Sequence, residues 1–285
     1  MKNILILTSN IKRIQKIGFT STLCAFSDIA IFLDNTNHGV DSIKIMAGAR
    51  NIAEFDTVYF RPWRKNKSIT VPVAMYLLSK KIRFIDPEVG YSNIDTKAFE
   101  YMKFCIAKLP IPKTIIASVK KIRTIYATSQ RFIQYPLILK SPDGSKGSDN
   151  YLIHTYLELK KILSTYPNEM QFIVQEYIPN TFDYRFLVTG YKTACVYKRI
   201  RNPKSNSHLN NVSKGGTRED VDPKSIKSIC NIAEKASKLL HREVCGVDIM
   251  IADNTKKPYI LEANSAPQLD YLPTFLAVKK YLGES

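Results

Sequence analysis

The chain has 285 residues, 45% of them hydrophobic and 11% aromatic, and its formal charge at pH 7 is +17. This composition supports a large apolar core and excludes an intrinsically disordered chain. The longest apolar runs, such as residues 29–33, are far shorter than the roughly 20 residues of a membrane-spanning helix, so we expect no membrane segment.

The positive charge is spread along the chain, without a block of five like charges or a basic tail. It is compatible with a solvated surface, an acidic or phosphorylated ligand, or weak nucleic-acid binding, and we expect no specific nucleic-acid recognition. Five widely spaced cysteines without a CxxC pair indicate buried free thiols. The start, MKNILILTSN, is typical of a strand rather than of a signal peptide, and both features predict a cytoplasmic protein.

The first region, residues 1–94, alternates short apolar runs with helical patterns. In chain order these are NILILT, a segment at 11–26, DIAIFLD, FDTVYFR, VPVAMYLLSK and IRFID. This rhythm predicts a βαβ domain with a mainly parallel sheet. Neither GxGxxG nor GxxxxGK[ST] occurs there, so we expect no standard phosphate loop in this region.

The second region opens with a predicted helix that has Asp95 as its N-cap and Pro110 beyond its end. A strand in PKTIIA and a second helix to about Phe132 follow. YPLILKSPDGSKGSDNYLIH predicts two strands around a glycine-rich turn, and QFIVQEYIP a further strand. The remainder predicts a hairpin turning at 189–190, a polar loop at 201–222, a helix at 223–240 and a final hairpin with the turn DNTKK.

The final hairpin brings three oxygen-bearing side chains together. Pairing through its turn sets Asp248 opposite Glu262, and Asn264 lies on the same strand face as Glu262. Two carboxylates in an apolar sheet need a counter-charge. Oxygen ligands suit Mg²⁺ or Mn²⁺, while pairing with lysine or arginine is the alternative, and the pattern leaves both open.

A second group of residues suits phosphate. Lys140 ends an apolar strand directly before SPDGSKGS, in which Gly144 and Gly147 would let backbone N–H groups surround anionic oxygens. Lys97, early in the predicted helix, is a further cation. Because most glycine-containing turns only reverse the chain, this loop indicates phosphate binding only together with the lysines.

Six ordered segments, PLILKSPDGSKG, VQEYIP, DYRFLV, NNVSKGG, GVDI and LEANSAP, resemble the ATP-grasp ligases, particularly the RimK-type carboxylate–amine branch. The resemblance covers roughly residues 95–269, and the preceding region is similar to the pre-ATP-grasp domain of this branch and of peptide-macrocyclising graspetide ligases. It implies an α/β ATP-grasp fold in which two antiparallel-sheet lobes enclose ATP. The implied domains are a pre-ATP-grasp domain at 1–94, a small lobe at 95–177 and a large lobe at 178–285.

The resemblance also implies roles for individual residues. The lysines and the glycine-rich loop would bind the phosphates, Glu176 the adenine amino group and Asp183 the ribose, with Tyr177 and Ile178 forming a hinge. The nucleotide set is Lys97, Lys140, Gly144, Ser145, Lys146, Gly147, Glu176, Tyr177, Ile178, Asp183 and Arg185. The magnesium ligands would be Asp248, Glu262 and Asn264, and the catalytic residues Arg199, Asn211 and Lys214.

The activity implied by this resemblance is an ATP-dependent ligase that activates a carboxylate as an acyl phosphate and joins it to an amine or hydroxyl, forming ADP and phosphate. Arg61, Arg64 and Lys65 favour an acidic substrate, such as an amino acid, peptide or protein. The alternative is an ATP-binding regulatory or scaffold protein of the same fold. The complete set of ligands and lysines favours the ligase, while the acceptor and the oligomeric state stay open.

We expect ATP and Mg²⁺ together to raise the melting temperature, and either one alone to do much less. The reason is that the metal ligands are incomplete without phosphate oxygens. Differential scanning fluorimetry measures this, and equal stabilisation by ATP in excess EDTA would contradict the metal site.

Overall fold

The computed structural model describes residues 3–33, 43–91, 96–128, 132–141, 150–201 and 216–283. The strands are β1 (Ile4–Thr8), β2 (Thr22–Ala25), β3 (Ile29–Leu33), β4 (Ile43–Ala47), β5 (Arg50–Asn51), β6 (Thr57–Arg61), β7 (Arg83–Ile85), β8 (Thr114–Ser118), β9 (Leu137–Lys140), β10 (Asn150–Ile153), β11 (Gln171–Glu176), β12 (Phe182–Thr189), β13 (Lys192–Ile200), β14 (Thr217–Val221), β15 (Val244–Ile251) and β16 (Pro258–Asn264). The α-helices are α1 (Ile11–Lys16), α2 (Lys67–Ser79), α3 (Glu88–Tyr91), α4 (Lys97–Ile106), α5 (Val119–Tyr126), α6 (Tyr156–Leu163), α7 (Lys227–Leu239) and α8 (Leu272–Leu282).

The N-terminal strands β1, β2, β6 and β7 form a parallel sheet in the order β2-β1-β6-β7, which confirms the predicted βαβ region. Strands β1 and β6 are buried throughout, as expected of parallel strands covered on both faces. The predicted strand at 29–33 forms, but it pairs antiparallel with β4 in a separate sheet with β5. A strand-like pattern does not specify the partner strand, so the sequence could not place it.

Two antiparallel sheets follow, with strand orders β10-β9-β11-β8 and β14-β13-β12-β15-β16. One face of the five-stranded sheet packs on α4 and α7 through apolar residues such as Phe104, Phe186 and Ala233. The opposite face carries charged side chains at alternating positions of its strands. This alternation is the two-residue period of a sheet that is apolar on one side only.

The register of the final hairpin is the predicted one. Asp248 lies opposite Glu262, and Gly246 opposite Asn264. The register shifts just beyond this point, between Asp248 and Ile249. All three predicted ligands therefore lie near one another, on the charged face of the sheet.

Several local predictions need adjustment. The N-cap of α4 is Thr96, whose hydroxyl accepts from the Phe99 amide, whereas Asp95 lies outside the described residues. Helix α5 ends at Tyr126, earlier than predicted. The cysteines form no disulfide, and Cys105 is exposed rather than buried. No helix in the described part of the chain is both long and apolar enough to cross a membrane.

A buried arginine ties the N-terminal sheet to the rest of the fold. Arg242 is fully buried, and its guanidinium donates to both carboxylate oxygens of Glu88 at 2.6 and 2.7 Å. Its Nη1 donates to Glu100 of α4 and to the carbonyl of Ala263 in β16, each at 2.7 Å. Arg64 also donates to Glu100, at 3.0 Å. Burial would raise the pKa of Glu100, but Arg242 and Arg64 outweigh it and keep the pKa below its usual range.

We expect Arg242→Met to lower the free energy of unfolding by about 3–5 kcal/mol, because Glu88 and Glu100 would be left buried without their partner. Arg83→Met is the matched control, since the pair of Arg83 with Glu243 at 2.9 Å is partly solvent-exposed and should contribute about 1 kcal/mol or less. Urea denaturation compares the two variants. Equal losses would show that burial does not decide the contribution of Arg242.

Candidate active site

A cavity of about 910 Å³ lies where the parallel sheet and the two antiparallel sheets meet. Its walls include Lys140 of β9, Glu176 at the end of β11, and Asp248 and Glu262 of the five-stranded sheet. Thr8 and Arg61, at the carboxyl ends of β1 and β6, line it from the N-terminal side. The cavity is therefore one space shared by three sheets.

The five-stranded sheet contributes a chain of ion pairs. Arg199 Nε donates to Asp183 Oδ1 at 2.5 Å, and its Nη2 lies 2.9 Å from Asp248 Oδ2. Arg185 Nη2 donates to the same Asp248 oxygen at 2.7 Å, while Arg185 Nε contacts Asp248 Oδ1 without hydrogen-bond geometry. Burial would lower the pKa of Arg199, but Asp248 and Asp183 outweigh it and raise the pKa, so the guanidinium stays charged.

A glycine makes room for this arrangement. Gly246 of β15 neighbours Arg185, and a Cβ atom there would lie 3.4 Å from Arg185 Nη1 and 3.1 Å from Pro267 Cβ. A side chain at this position would crowd the guanidinium that binds Asp248. The glycine of the GVDI segment thus permits Arg185 and Pro267 to lie close to the backbone of β15.

The three predicted metal ligands face this cavity. Within the described residues, neither the Glu262 nor the Asn264 side chain has a hydrogen bond or ion pair, and Asp248 Oδ1 is buried without hydrogen-bond geometry to any partner. Among the described residues, no three His, Cys, Asp or Glu side chains form a group that could hold a metal ion on its own. Two carboxylates and an amide fit a hard cation that takes its remaining ligands from phosphate and water. The alternative partner, arginine, is also present, at Asp248.

Two lysines line the same cavity as these carboxylates. Lys97 is the first residue of α4, and Lys140 is the last residue of β9. Lys140 is only 9% exposed, and its Nζ donates to the hydroxyl of Tyr101 at 2.7 Å. Burial and the neighbouring Lys97 lower the pKa of Lys140 to about 7, although Glu262 and Glu100 act in the opposite direction.

Apolar side chains form the far end of the cavity, beside Glu176 and the residues that follow β11. Ile138, Met250 and Leu261 line this end together with Tyr177 and Ile178. Glu176 Oε1 accepts from the backbone amide of Lys113 at 2.8 Å. A slot with apolar walls and a carboxylate at its edge suits a flat heterocycle with an amino group.

A comparison with known families agrees with this geometry. The model of the RimK-like ATP-grasp domain matches residues 99–279 of the chain. The chain belongs to the RimK-like ATP-grasp family. The two antiparallel sheets beside the cavity are thus those of an ATP-grasp fold, as the sequence resemblance implied.

Known proteins similar to this ATP-grasp chain include curated relatives and solved structures. A probable alpha-L-glutamate ligase of Trichodesmium erythraeum (strain IMS101) is 29% identical over 146 residues, which are 50% of this chain and 47% of the relative. The alignment thus spans about half the length of that curated relative. The ATP-grasp ligase PsnB, solved with a phosphomimetic variant of a minimal precursor, Mg and ADP, has a TM-score of 0.71 at 14% identity, covering 99% of this chain and 98% of PsnB. The macrocyclase MdnC from Microcystis aeruginosa MRC, bound with precursor peptide MdnA, has a TM-score of 0.61 at 16% identity, covering 98% and 97%.

The ATP-grasp cavity is lined by most of the residues predicted for it. They are Lys97, Lys140, Glu176, Tyr177, Ile178, Asp183, Arg185, Arg199, Asp248, Glu262 and Asn264. Gly144, Ser145, Lys146, Gly147, Asn211 and Lys214 lie outside the described residues. Arg61 lines the cavity and donates to Tyr59 and to the Pro267 carbonyl, whereas Arg64 pairs with Glu100 and the Lys65 side chain is not described.

Sequence reasoning missed three contributors. Arg13 and Arg218 line the cavity, and Tyr101 contacts Lys140 within its wall. Arg218 lies opposite Arg199 in the β13–β14 pairing and over the rings of Tyr197 and Tyr271. The segment TRE, which contains Arg218, gave no signal that it lines the cavity. Its strand, β14, is fixed by long-range pairing with β13, which a local pattern does not specify.

We expect the affinity of the wild type for ADP, measured in EDTA, to fall as the pH rises from 6.5 to 8.5. Relative to the affinity of Lys140→Met at the same pH, the fall should reach up to about tenfold per pH unit. Phosphate binds the charged ammonium, so it raises the pKa of Lys140, and binding above pH 7 takes up a proton. Isothermal titration calorimetry in two buffers of different ionisation enthalpy measures that uptake. Ionisation of ADP itself is common to both proteins, so parallel pH profiles would contradict the assignment of Lys140 to the phosphates.

Proposed function

We propose that the protein is an ATP-dependent ligase that activates a carboxylate by phosphoryl transfer and joins it to an amine. The observation that carries this proposal is the convergence in one cavity of two lysines, from α4 and β9, with the oxygen ligands of β15 and β16. Within the proposed domains, 1–94, 95–177 and 178–285, each one lines part of that cavity. A site between lobes is expected for a reaction in which ATP, a carboxylate and an amine must all bind.

ATP would lie with its adenine in the apolar end beside Glu176, whose second carboxylate oxygen is available to the amino group. Lys97 and Lys140 then face its phosphates. Asp248, Glu262 and Asn264 would hold Mg²⁺ there. When bound, Mg²⁺ neutralises phosphate charge as the γ-phosphoryl group moves.

The reaction begins with attack of a substrate carboxylate oxygen on the γ-phosphorus, which breaks the bond to the bridging oxygen and releases ADP. The product is an acyl phosphate. An amine then attacks the acyl carbon, loses a proton, and displaces inorganic phosphate. Arg199, which is paired with Asp183 and Asp248, would stabilise the charge on the transferred group.

The carboxylate substrate would occupy the cavity beyond the nucleotide, next to the parallel sheet. Arg13, Arg61 and Arg218 line this part, and guanidinium groups bind carboxylates through paired hydrogen bonds. The glutamate-ligase name of the relative and the precursor peptides bound to PsnB and MdnC support an acidic amino acid or an acidic peptide. An amine on the same or a second substrate would complete the reaction.

A second candidate is an ATP-binding regulatory protein without turnover. The observation that favours it is the pairing of Asp248 with two arginines, which occupies one of the predicted metal ligands. Nucleotide binding alone would not need a free Asp248. Turnover therefore separates the two candidates.

We expect Glu262→Gln to fold like the wild type and to lose turnover by about a thousandfold, because an anionic metal ligand is removed while the side-chain shape is kept. The melt should be unchanged or slightly higher, since Glu262 makes no ion pair with the described residues. Glu219→Gln is the control, as Glu219 is an exposed carboxylate of β14.

The assay follows phosphate release from ATP across a panel of acidic amino acids and acidic peptides, with mass spectrometry of the products. A Glu262→Gln protein that melts many degrees lower but keeps its turnover would show that Glu262 is structural. A wild-type protein that binds Mg²⁺–ATP and turns over none of the panel would favour the regulatory candidate.

A further inference from the structure

The hydroxyl of Tyr101 joins the two antiparallel sheets inside the cleft wall. Tyr101, on α4, is 3% exposed, and its hydroxyl donates to the Leu261 carbonyl at 2.5 Å. The same oxygen accepts from Lys140 Nζ at 2.7 Å. Lys140 ends β9 of the four-stranded sheet, and Leu261 belongs to β16 of the five-stranded sheet. A single oxygen thus contacts a lysine of one sheet and the backbone of the other.

The second partner of this hydroxyl lies directly before a candidate metal ligand. Among the described strands, β16 is the edge of its sheet, so its outward carbonyls pair with none of them. Tyr101 binds the carbonyl of Leu261, and Arg242 binds that of Ala263. Side chains therefore fix the backbone on both sides of Glu262. Arg242 is itself held by Glu100, the residue before Tyr101 on α4.

The contact with Lys140 cannot be explained by satisfying the edge carbonyl. A hydroxyl has one donor and two acceptor sites, and the donor is used by Leu261. One of the remaining lone pairs accepts from the buried ammonium of Lys140, which needs an acceptor in a low-dielectric site. The Gln175 side chain of β11 also hydrogen-bonds the hydroxyl. Burial raises the pKa of Tyr101, with further contributions from Glu262 and Glu100, so the hydroxyl keeps the proton that it donates. The bond to the Leu261 carbonyl thus fixes the orientation of the hydroxyl, and this orientation presents a lone pair to Lys140.

We propose that Tyr101 is a positioning residue that couples the phosphate-binding and metal-binding halves of the nucleotide site, by holding Lys140 against the strand that carries Glu262. This inference rests on the proposed nucleotide site. Phosphates drawn to Lys140 stabilise the position of Tyr101, which stabilises β16 for the cation. Nucleotide and Mg²⁺ therefore strengthen each other's binding through this hydroxyl, in addition to their direct contact.

The test compares ADP affinity with and without Mg²⁺ in Tyr101→Phe. Phenylalanine keeps the ring packing and removes the hydrogen bonds of the hydroxyl. We expect the gain in ADP affinity on adding Mg²⁺ to shrink by about tenfold, the scale of a hydrogen bond to a charged group. Tyr126→Phe is the matched control, because Tyr126 is equally buried and its hydroxyl donates to the Ile133 carbonyl at 3.1 Å, outside the cavity.

A double-mutant cycle shows whether Tyr101 acts through Lys140. In the background of Lys140→Met, Tyr101→Phe should change ADP affinity by less than about twofold, because the shared contact is already lost. Equal effects of Tyr101→Phe in both backgrounds would overturn the proposal, as would an unchanged Mg²⁺ gain in Tyr101→Phe.

Thermal melts of the apo proteins separate coupling from folding. Loss of the Mg²⁺ gain in both Tyr101→Phe and Tyr126→Phe, in proportion to their lowered melting temperatures, would mean that Tyr101 is merely structural. A wild-type protein without measurable Mg²⁺–ADP binding would overturn the proposed function as well. If the wild type binds Mg²⁺–ADP and Tyr101→Phe shows the same gain in ADP affinity on adding Mg²⁺, only the coupling would be overturned.

Discussion

The guanidinium of Arg242 is the interaction on which the arrangement of the site depends. It is fully buried and binds Glu88 behind the parallel sheet, Glu100 on α4 and the Ala263 carbonyl on β16. A buried charge of this kind is costly unless every donor finds a partner. Its geometry therefore forces three separate parts of the chain into one relative position. Two of them, α4 and β16, carry residues of the proposed nucleotide site.

This constraint explains how a short helix can organise a large cavity. Three residues of α4 have different surroundings. Lys97 faces the cavity, Glu100 binds Arg242, and Tyr101 binds Lys140 and the backbone of β16. The helix thus acts as a spacer between the two antiparallel sheets. A displacement of α4 would therefore disturb the proposed phosphate and metal contacts together. Stability and proposed function are linked at this helix.

Local patterns predicted the parts of the site that depend on neighbouring residues in sequence. The turn DNTKK determines the pairing of Asp248 with Glu262, and the two-residue period of β16 places Asn264 beside Glu262. Arg185 and Arg199 were assigned to the site by resemblance, but the pairing of Arg185 with Asp248, 63 residues later, depends on the contact of β12 with β15. Arg242 and Tyr101 carried no signal at all, because a single arginine after a helix and a helical tyrosine are ordinary surface and core residues. The domain boundaries remain predictions.

The charge of the chain illustrates how little a global property says about a site. Among the residues that the structure describes, the cavity is lined by seven basic ones, Arg13, Arg61, Lys97, Lys140, Arg185, Arg199 and Arg218, and by four acidic ones, Glu176, Asp183, Asp248 and Glu262. Its excess of three positive charges is a small part of the +17 of the whole chain. The excess suits anionic ligands, but most of the positive charge lies elsewhere and is screened by salt. What distinguishes the cavity is the fixed order of its charges: arginine and carboxylate alternate across β13, β12 and β15, so that each guanidinium is held before a ligand arrives. Because these groups are already oriented, no free energy is spent on orienting them at the moment of reaction. A diffuse positive surface could not provide such fixed orientation.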